Sequence, residues 1–340
     1  MKALTKYLDV KKTHFIALGD FVVEILTNRS EDVFGEYFSV AQYLEKDSVN
    51  RVDYSIYAME MPSIPVEIFE FVGQDWRSGV MKKGYYVTQY FGKPVAMIHY
   101  DQTAYLFGEN LDKIVWRYHI KMILTVLGYQ NNQLHLKAST VECNGHGYLF
   151  VSPGGQGKTT IIHQLMELGA KFNCNTHVIV DSKLFATGIK SNMRFRGIPK
   201  DSIFSFEKAI VGNIEKNETN VDPYLLYEPR NMLNNTKIDA IILNRKNSDG
   251  KFKLSECDRK TASTILLQFA APIPTYNLKH DFYDHVECDY DAFSDIVNWT
   301  EDYIKEIVGK LPCFIMDVDV YEKRVCDQLF QTLFYMKGVN

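Results

Sequence analysis

The chain has 340 residues, enough for one large domain or two ordinary ones, because single hydrophobic cores stop growing near roughly 250 to 300 residues. Apolar residues make up 46% and charged residues 24%, a balance that excludes intrinsic disorder as the organising state. The formal net charge of -4 gives none of the basic footprint of a nucleic-acid-binding protein.

The first hundred residues mix short apolar runs (THFIALGDFVVEILT, GYYVTQYF, PVAMIHY, TAYLFGE) with turn residues, the pattern of antiparallel hairpins. NLDKIVWRYHIKMILTVLGYQ then carries apolar residues at helical spacing, with Gly128 as a stop. QLHLKASTVECNGHGYLFV predicts two strands around an Asn-Gly turn. KTTIIHQLMELG predicts a helix closed by Gly169, and KFNCNTHVIVD a strand after it. The polar stretch from about 213 to 236 is expected to be a loop or lid. Beyond it, KIDAIILNRK reads as a strand, DRKTASTILLQFA as a helix and PIPTYNL as extended chain; FSDIVNWTEDYIKEIVGKLP is helical, CFIMDVDV a strand and YEKRVCDQLFQTLFYMK a closing helix.

No run of 18 apolar residues and no signal-type apolar core occur, so the expectation is a soluble, cytoplasmic protein without a membrane partner. Six scattered cysteines without a C-x-x-C pair read as reduced thiols.

SPGGQGKT, residues 152–159, has the spacing of the phosphate-binding loop G-x-x-x-x-G-K-[ST], with Ser152 in place of the first glycine. An apolar strand before it and an amphipathic helix after it supply the context the motif needs. Glycine turns and a helix N-terminus would aim backbone N–H groups at a phosphate. The candidate nucleotide-binding residues are Gly154, Gly155, Gln156, Gly157, Lys158, Thr159 and Thr160, with Lys158 as the cation and Thr159 as the metal hydroxyl. A serine costs little where φ stays negative.

A strand containing His135 (LHLKAST), a hairpin, this loop, a helix closing with ELGAKF and a following polar strand together resemble the HPr kinase/phosphorylase family, P-loop serine kinases related to phosphoenolpyruvate carboxykinases. The resemblance spans roughly residues 105–205. It implies an α/β fold with a P-loop HPr-kinase-like core, placed over 106–340; the hairpin pattern of the first hundred residues, outside the resemblance, predicts a mostly antiparallel β (α+β) N-terminal domain over 1–105. The resemblance also implies ATP and Mg²⁺ as cofactors, and His135 on the strand facing the nucleotide.

The family carries an acidic pair where this chain has Asn175 and Thr176. Asn175 can still offer a carbonyl oxygen to a hard cation, but neither residue is a general base near neutral pH. The base then comes from His177 or from Asp181, or the acceptor is attacked without one, or catalysis is lost. Arg194 and Arg196 alternate on one face of NMRFRGIPK, and Arg196 is a candidate to neutralise transition-state charge. The function these readings predict is an ATP-dependent kinase moving the γ-phosphoryl group to a hydroxyl of a peptide, a protein serine or a small serine-like metabolite. The alternative is a catalytically weak nucleotide-binding regulatory or interaction module. Homo-oligomerisation is left open.

Overall fold

The computed structural model describes residues 4–64, 71–74, 78–81, 85–87, 95–100, 102–196, 209–212, 218–270 and 290–335. The PIPTYNL stretch and Cys288 lie outside them. The fold is mixed α/β with several sheets, and it divides into two compact units, 1–127 with 277–295 and 128–276 with 296–340.

The first unit holds one nine-stranded sheet: β1 (Lys12–Leu18), β2 (Phe21–Thr27), β3 (Gln42–Leu44), β4 (Tyr54–Glu60), β5 (Phe71–Gln74), β6 (Ser78–Met81), β7 (Tyr85–Val87), β8 (Val95–Tyr100) and β9 (Thr103–Gly108), in spatial order β3-β1-β2-β4-β9-β8-β7-β6-β5. β1 and β2 alternate buried and half-buried side chains around a two-residue turn, where Gly19 takes the positive φ (67°) such hairpins require. Five of the eight pairings are antiparallel hairpins of consecutive strands, and a sixth, β1 with β3, is antiparallel without being a hairpin. The other two, β2 with β4 and β4 with β9, are parallel.

The helix of 111–130 runs as Leu111–Ile114, a π-helical segment Val115–His119 and Ile120–Gln130. Up to Leu127 it belongs to the first unit, where Trp116 meets Phe38 edge-on and His119 stacks on His99. Gly128 does not stop it. The helix ends beyond Gln130, where Asn132 adopts φ 53°, and Gly128 is small because the Gln133 carbonyl would lie 2.5 Å from any Cβ there.

The second unit is built on β10 (Leu134–Leu136), β11 (Ser139–Cys143), β12 (His146–Val151), β13 (Lys171–Cys174), β14 (Val178–Val180), β15 (Phe185–Gly188), β16 (Met193–Arg196), β17 (Ile210–Gly212), β18 (Glu218–Val221), β19 (Asn235–Lys246), β20 (Phe252–Glu256) and β21 (Cys313–Val318). The larger sheet has the order β10-β14-β15-β19-β12-β11-β13, with β21 beside β19 and β20 beside β21. β16, β18 and β17 form a separate small sheet. β18 falls inside the stretch read from sequence as a loop or lid.

β12, β19 and β21 run parallel, and their apolar runs are continuous because both faces are covered. On one face Tyr148, Phe150, Ala240 and Ile242 pack under the helices α1 (Lys158–Glu167) and α2 (Lys323–Tyr335), against Ile161, Leu165 and Leu329. On the other, Leu149, Val151, Ile241 and Leu243 meet Leu266 and Ile304 of Arg259–Phe269 and Tyr290–Lys310. α1 closes at Gly169 (φ 102°), as the sequence predicts.

KFNCNTHVIVD does not form one strand. It is β13 and β14, separated by a bend at Asn175 and Thr176. Opposite them, β10 and β11 are separated by Lys137 and Ala138. The register is the same on both sides of this opening, Leu136↔Val178 before it and Thr140↔Cys174 after it. Asn173 fastens one edge, accepting from Thr140 Oγ1 at 3.0 Å and donating to the Ala186 carbonyl at 3.0 Å.

Gly188 lies against this edge. A Cβ there would stand 2.6 Å from the Asn173 carbonyl oxygen and 2.8 Å from Cys174 Cβ. Gly188→Ala is therefore expected to destabilise the protein by about 1–3 kcal/mol, read as a lower midpoint in urea unfolding; an unchanged midpoint would refute this packing.

Candidate functional site

The phosphate-type loop follows directly from β12. Val151 ends the buried strand, Gly155 and Gly157 take φ of 82° and 84°, and α1 begins at Lys158. Ser152 is not among the described non-glycine residues with positive φ, so the missing first glycine costs the loop no backbone strain. Gly157 is needed twice, for its φ and because a Cβ would press on Val320 at 2.7 Å. No side chain caps α1, leaving its first amides as a natural anion site.

The loop is moored to the neighbouring parallel strand. Asn244 Nδ2 donates to the Gln156 carbonyl at 2.8 Å, and the Lys246 amide donates to Gln156 Oε1 at 3.0 Å. Gln156 thus fixes the loop from behind and does not line the cleft in front of it.

That cleft is lined by the loop glycines, Lys158, Thr159 and Thr160, by Asn175 and Thr176 of the bend, and by Lys137 in the facing gap of the ladder. Arg194 and Arg196 of β16, with Lys246 and Tyr321, complete the wall. Lys158 folds back over the loop, donating to the Ser152 carbonyl at 2.6 Å, Ser152 Oγ at 3.1 Å and the Pro153 carbonyl at 3.2 Å. Desolvation, then the nearby Lys137 charge, lowers its pKa to about 7. Lys137 is lowered to about 8 by desolvation and by Arg194 and Arg196. Both arginines pair with Glu218, which is buried at Nε–Oε2 2.9 Å from Arg196 and 3.4 Å from an Arg194 guanidinium nitrogen. Lys246 lies over the Tyr321 ring at 4.3 Å.

Asn175 is held at the opening by Ser139, whose hydroxyl donates to its carbonyl. Its side-chain nitrogen donates to Thr176 Oγ1 at 3.4 Å, while its buried Oδ1 has no hydrogen-bond partner among the described residues. Such an orphaned acceptor calls for a cation, a water or a donor.

The remaining candidates lie elsewhere. His135 and His177 are buried and joined to each other, Nε2 to Nδ1 at 3.1 Å, and neither lines the cleft. The bend at 175–176 separates Asn175 from the strand that follows it and from His177. Asp181 closes a turn, accepting from the Lys183 and Phe185 amides at 2.9 and 2.8 Å, and it too is outside the cleft lining.

Sequence reasoning missed Lys137, Lys246 and Tyr321 as members of the site. Lys137 had a legible signal: it is a lone charge inside the apolar run LHLKASTV. No protein-family model matches the chain, and no curated protein matches it.

An anion entering the cleft stabilises the charged forms of both lysines. Free Lys158 and Lys137 lose charge as pH rises through about 7 and about 8, whereas the complex keeps it. Affinity for sulfate, an anion that does not itself titrate in this range, is therefore expected to fall between pH 7 and 9. Titration calorimetry at pH 8, in buffers of different ionisation heat, should show net proton uptake, and proton release would contradict this electrostatic arrangement.

Proposed function

We propose that the second unit is a P-loop phosphotransferase of the HPr-kinase type, which binds ATP with Mg²⁺ and moves the γ-phosphoryl group to a hydroxyl of a peptide, a protein serine or a small serine-like molecule. The observation that carries this reading is one cleft fed from two sheets. The loop after β12 supplies Lys158 and Thr159, and β16 supplies Arg194 and Arg196 from another wall.

Holding a phosphate needs only the loop. Cations on a second wall suit a reaction in which charge shifts toward the leaving and attacking oxygens. The loose transition state of phosphoryl transfer asks mainly for alignment and charge neutralisation, so the neutral residues at 175 and 176 do not bar it. The residues present fit Mg²⁺: the Thr159 hydroxyl and the orphaned Asn175 Oδ1 are oxygen donors of the kind a hard cation takes. When bound, the ion would offset the charge of the β- and γ-oxygens. Lys158 would exchange its loop carbonyls for phosphate oxygens, and Lys137 would brace the same charge from the facing strand.

A second reading, a nucleotide-binding module with little transfer, is favoured by one feature. Among the described residues lining the cleft there is no carboxylate and no imidazole to take the acceptor proton.

Calorimetric titration with ATP and with GTP, each with Mg²⁺, followed by ADP release with and without a serine and peptide pool, separates the two. Acceptor-dependent release supports the kinase, binding without release the module, and absence of binding overturns both. Lys158→Ala is expected to weaken ATP binding about 10- to 100-fold through loss of charge-assisted hydrogen bonds; wild-type affinity in that variant would remove Lys158 from the site.

A further inference from the structure

We infer that Cys257 and Cys313 form a thiol–disulfide exchange site, at which a small anionic peptide disulfide oxidises the pair to an internal disulfide bond. The site is independent of the phosphotransferase reading. It lies at the end of β21 away from Tyr321 and the cleft.

The sheet register brings the two residues together. β20 and β21 pair antiparallel from Phe252↔Val318 to Glu256↔Phe314, and the next pair in that register is Cys257↔Cys313. The ladder reaches it, because the Cys257 amide donates to the Cys313 carbonyl at 2.8 Å. Residues directly opposite on antiparallel strands share a face, and in a hydrogen-bonded pair their Cα atoms stand about 5.5 Å apart. Disulfides span Cα separations of roughly 4.4–6.8 Å. Both thiols join one core cluster, the one that Leu266 and Ile304 enter from the covering helices. The Cβ atoms of such a pair must approach by about 1 Å for a bond to close. Cys257 has room for that move, since it follows the last residue of β20, which among the described residues pairs with β21 alone.

The surroundings add a place for the oxidant. Both cysteines are free thiols lining one pocket, with Arg259, Lys310 and Glu256 on its rim. The two cations suit the carboxylates of a peptide disulfide and Glu256 its ammonium group. Lys310 also meets Glu306 on its own helix, an exposed pair of the kind that exchanges at little cost. Exposure divides the roles: half-buried Cys257 meets the disulfide, and buried Cys313 resolves it.

The Cys257 thiolate attacks one sulfur of the oxidised peptide, forming a mixed disulfide and expelling one peptide thiolate. The Cys313 thiolate then attacks the Cys257 sulfur, closes the internal bond and expels the second. Each protein thiol loses a proton, each departing thiolate takes one, and two electrons pass from protein to peptide. Desolvation raises both thiols, and Cys257 adds to the effect at Cys313, which reaches about 12. The exchange is therefore slow near neutral pH, and no stabilised thiolate favours the reduced form once the bond exists.

The test incubates the reduced full chain with oxidised glutathione in mildly alkaline buffer and maps unreduced digests by mass spectrometry. A Cys257–Cys313 cross-linked peptide is expected from the native chain, with that preference lost when the same reaction is run on urea-unfolded protein. Cys313→Ser should instead carry glutathione on Cys257. Arg259→Gln should slow the reaction with oxidised glutathione at least about threefold while leaving the rate with the neutral disulfide of 2-hydroxyethanethiol unchanged. Absence of the cross-link, cross-links between other cysteines in its place, or the same preference in the unfolded chain would overturn the pair, and none of these readings needs a variant. An equal effect of Arg259→Gln on both disulfides, or none on either, would overturn the recognition of an anionic oxidant.

Discussion

The site depends on an opening in the ladder between the chains that carry β10–β11 and β13–β14, next to the bulge at Thr140 and Val141. Between Leu136↔Val178 and Thr140↔Cys174 the two chains keep register yet stop pairing. Buried amides and carbonyls released in this way must find other partners. They do: the Lys137 amide donates to the Ala270 carbonyl, the Ile189 amide to the His177 carbonyl, and the Ser139 hydroxyl to the Asn175 carbonyl. The gap is thus a built feature with its own hydrogen bonds. It turns Lys137 and Asn175 toward the phosphate-type loop in place of the pleated surface they would otherwise occupy.

The second element is the loop, whose place is set by the parallel pairing of β12 with β19. That pairing puts Val151 beside Leu243, so each strand ends near the other and Asn244 and Gln156 can meet. Cations crowd the cleft between loop and gap, and burial first, then repulsion from neighbouring cations, depresses the pKa values of Lys158 and Lys137. Lys158 folded onto the carbonyls of its own loop is the arrangement of a cation holding weaker acceptors than a phosphate would give. An anion would release both strains at once, which makes the site responsive to ionic strength as well as to its ligand.

Much of this was legible in the chain. The loop, α1 and the strand before them are local features, set by glycine spacing, a lysine and two apolar periodicities. The helices at 259–269 and 290–310 and strand β19 are also long periodic segments, and their positions agree with expectation. What escaped is what tertiary partners decide. NCNTHVIVD alternates well enough to pass for one strand, and only the opposing chain shows that it breaks at Asn175. His177 and Asp181 were the bases the sequence offered once 175 and 176 proved neutral. The structure gives His177 a histidine partner and Asp181 two turn amides. The parallel pairs β2–β4 and β4–β9 were hidden because side-chain alternation is the same in either direction.

The contact of Gly157 with Val320 has a consequence for how the protein is made. Val320 accepts a hydrogen bond from Gln164 of α1 across 156 residues of sequence, and β21 beside it flanks β19 along six paired residues. While the chain is being synthesised, the loop leaves the ribosome long before its backstop exists. During that interval the glycines are unconstrained, and the cations around them lack the wall that Tyr321 completes. The loop therefore gains its backstop only after the segment around residue 320 has docked.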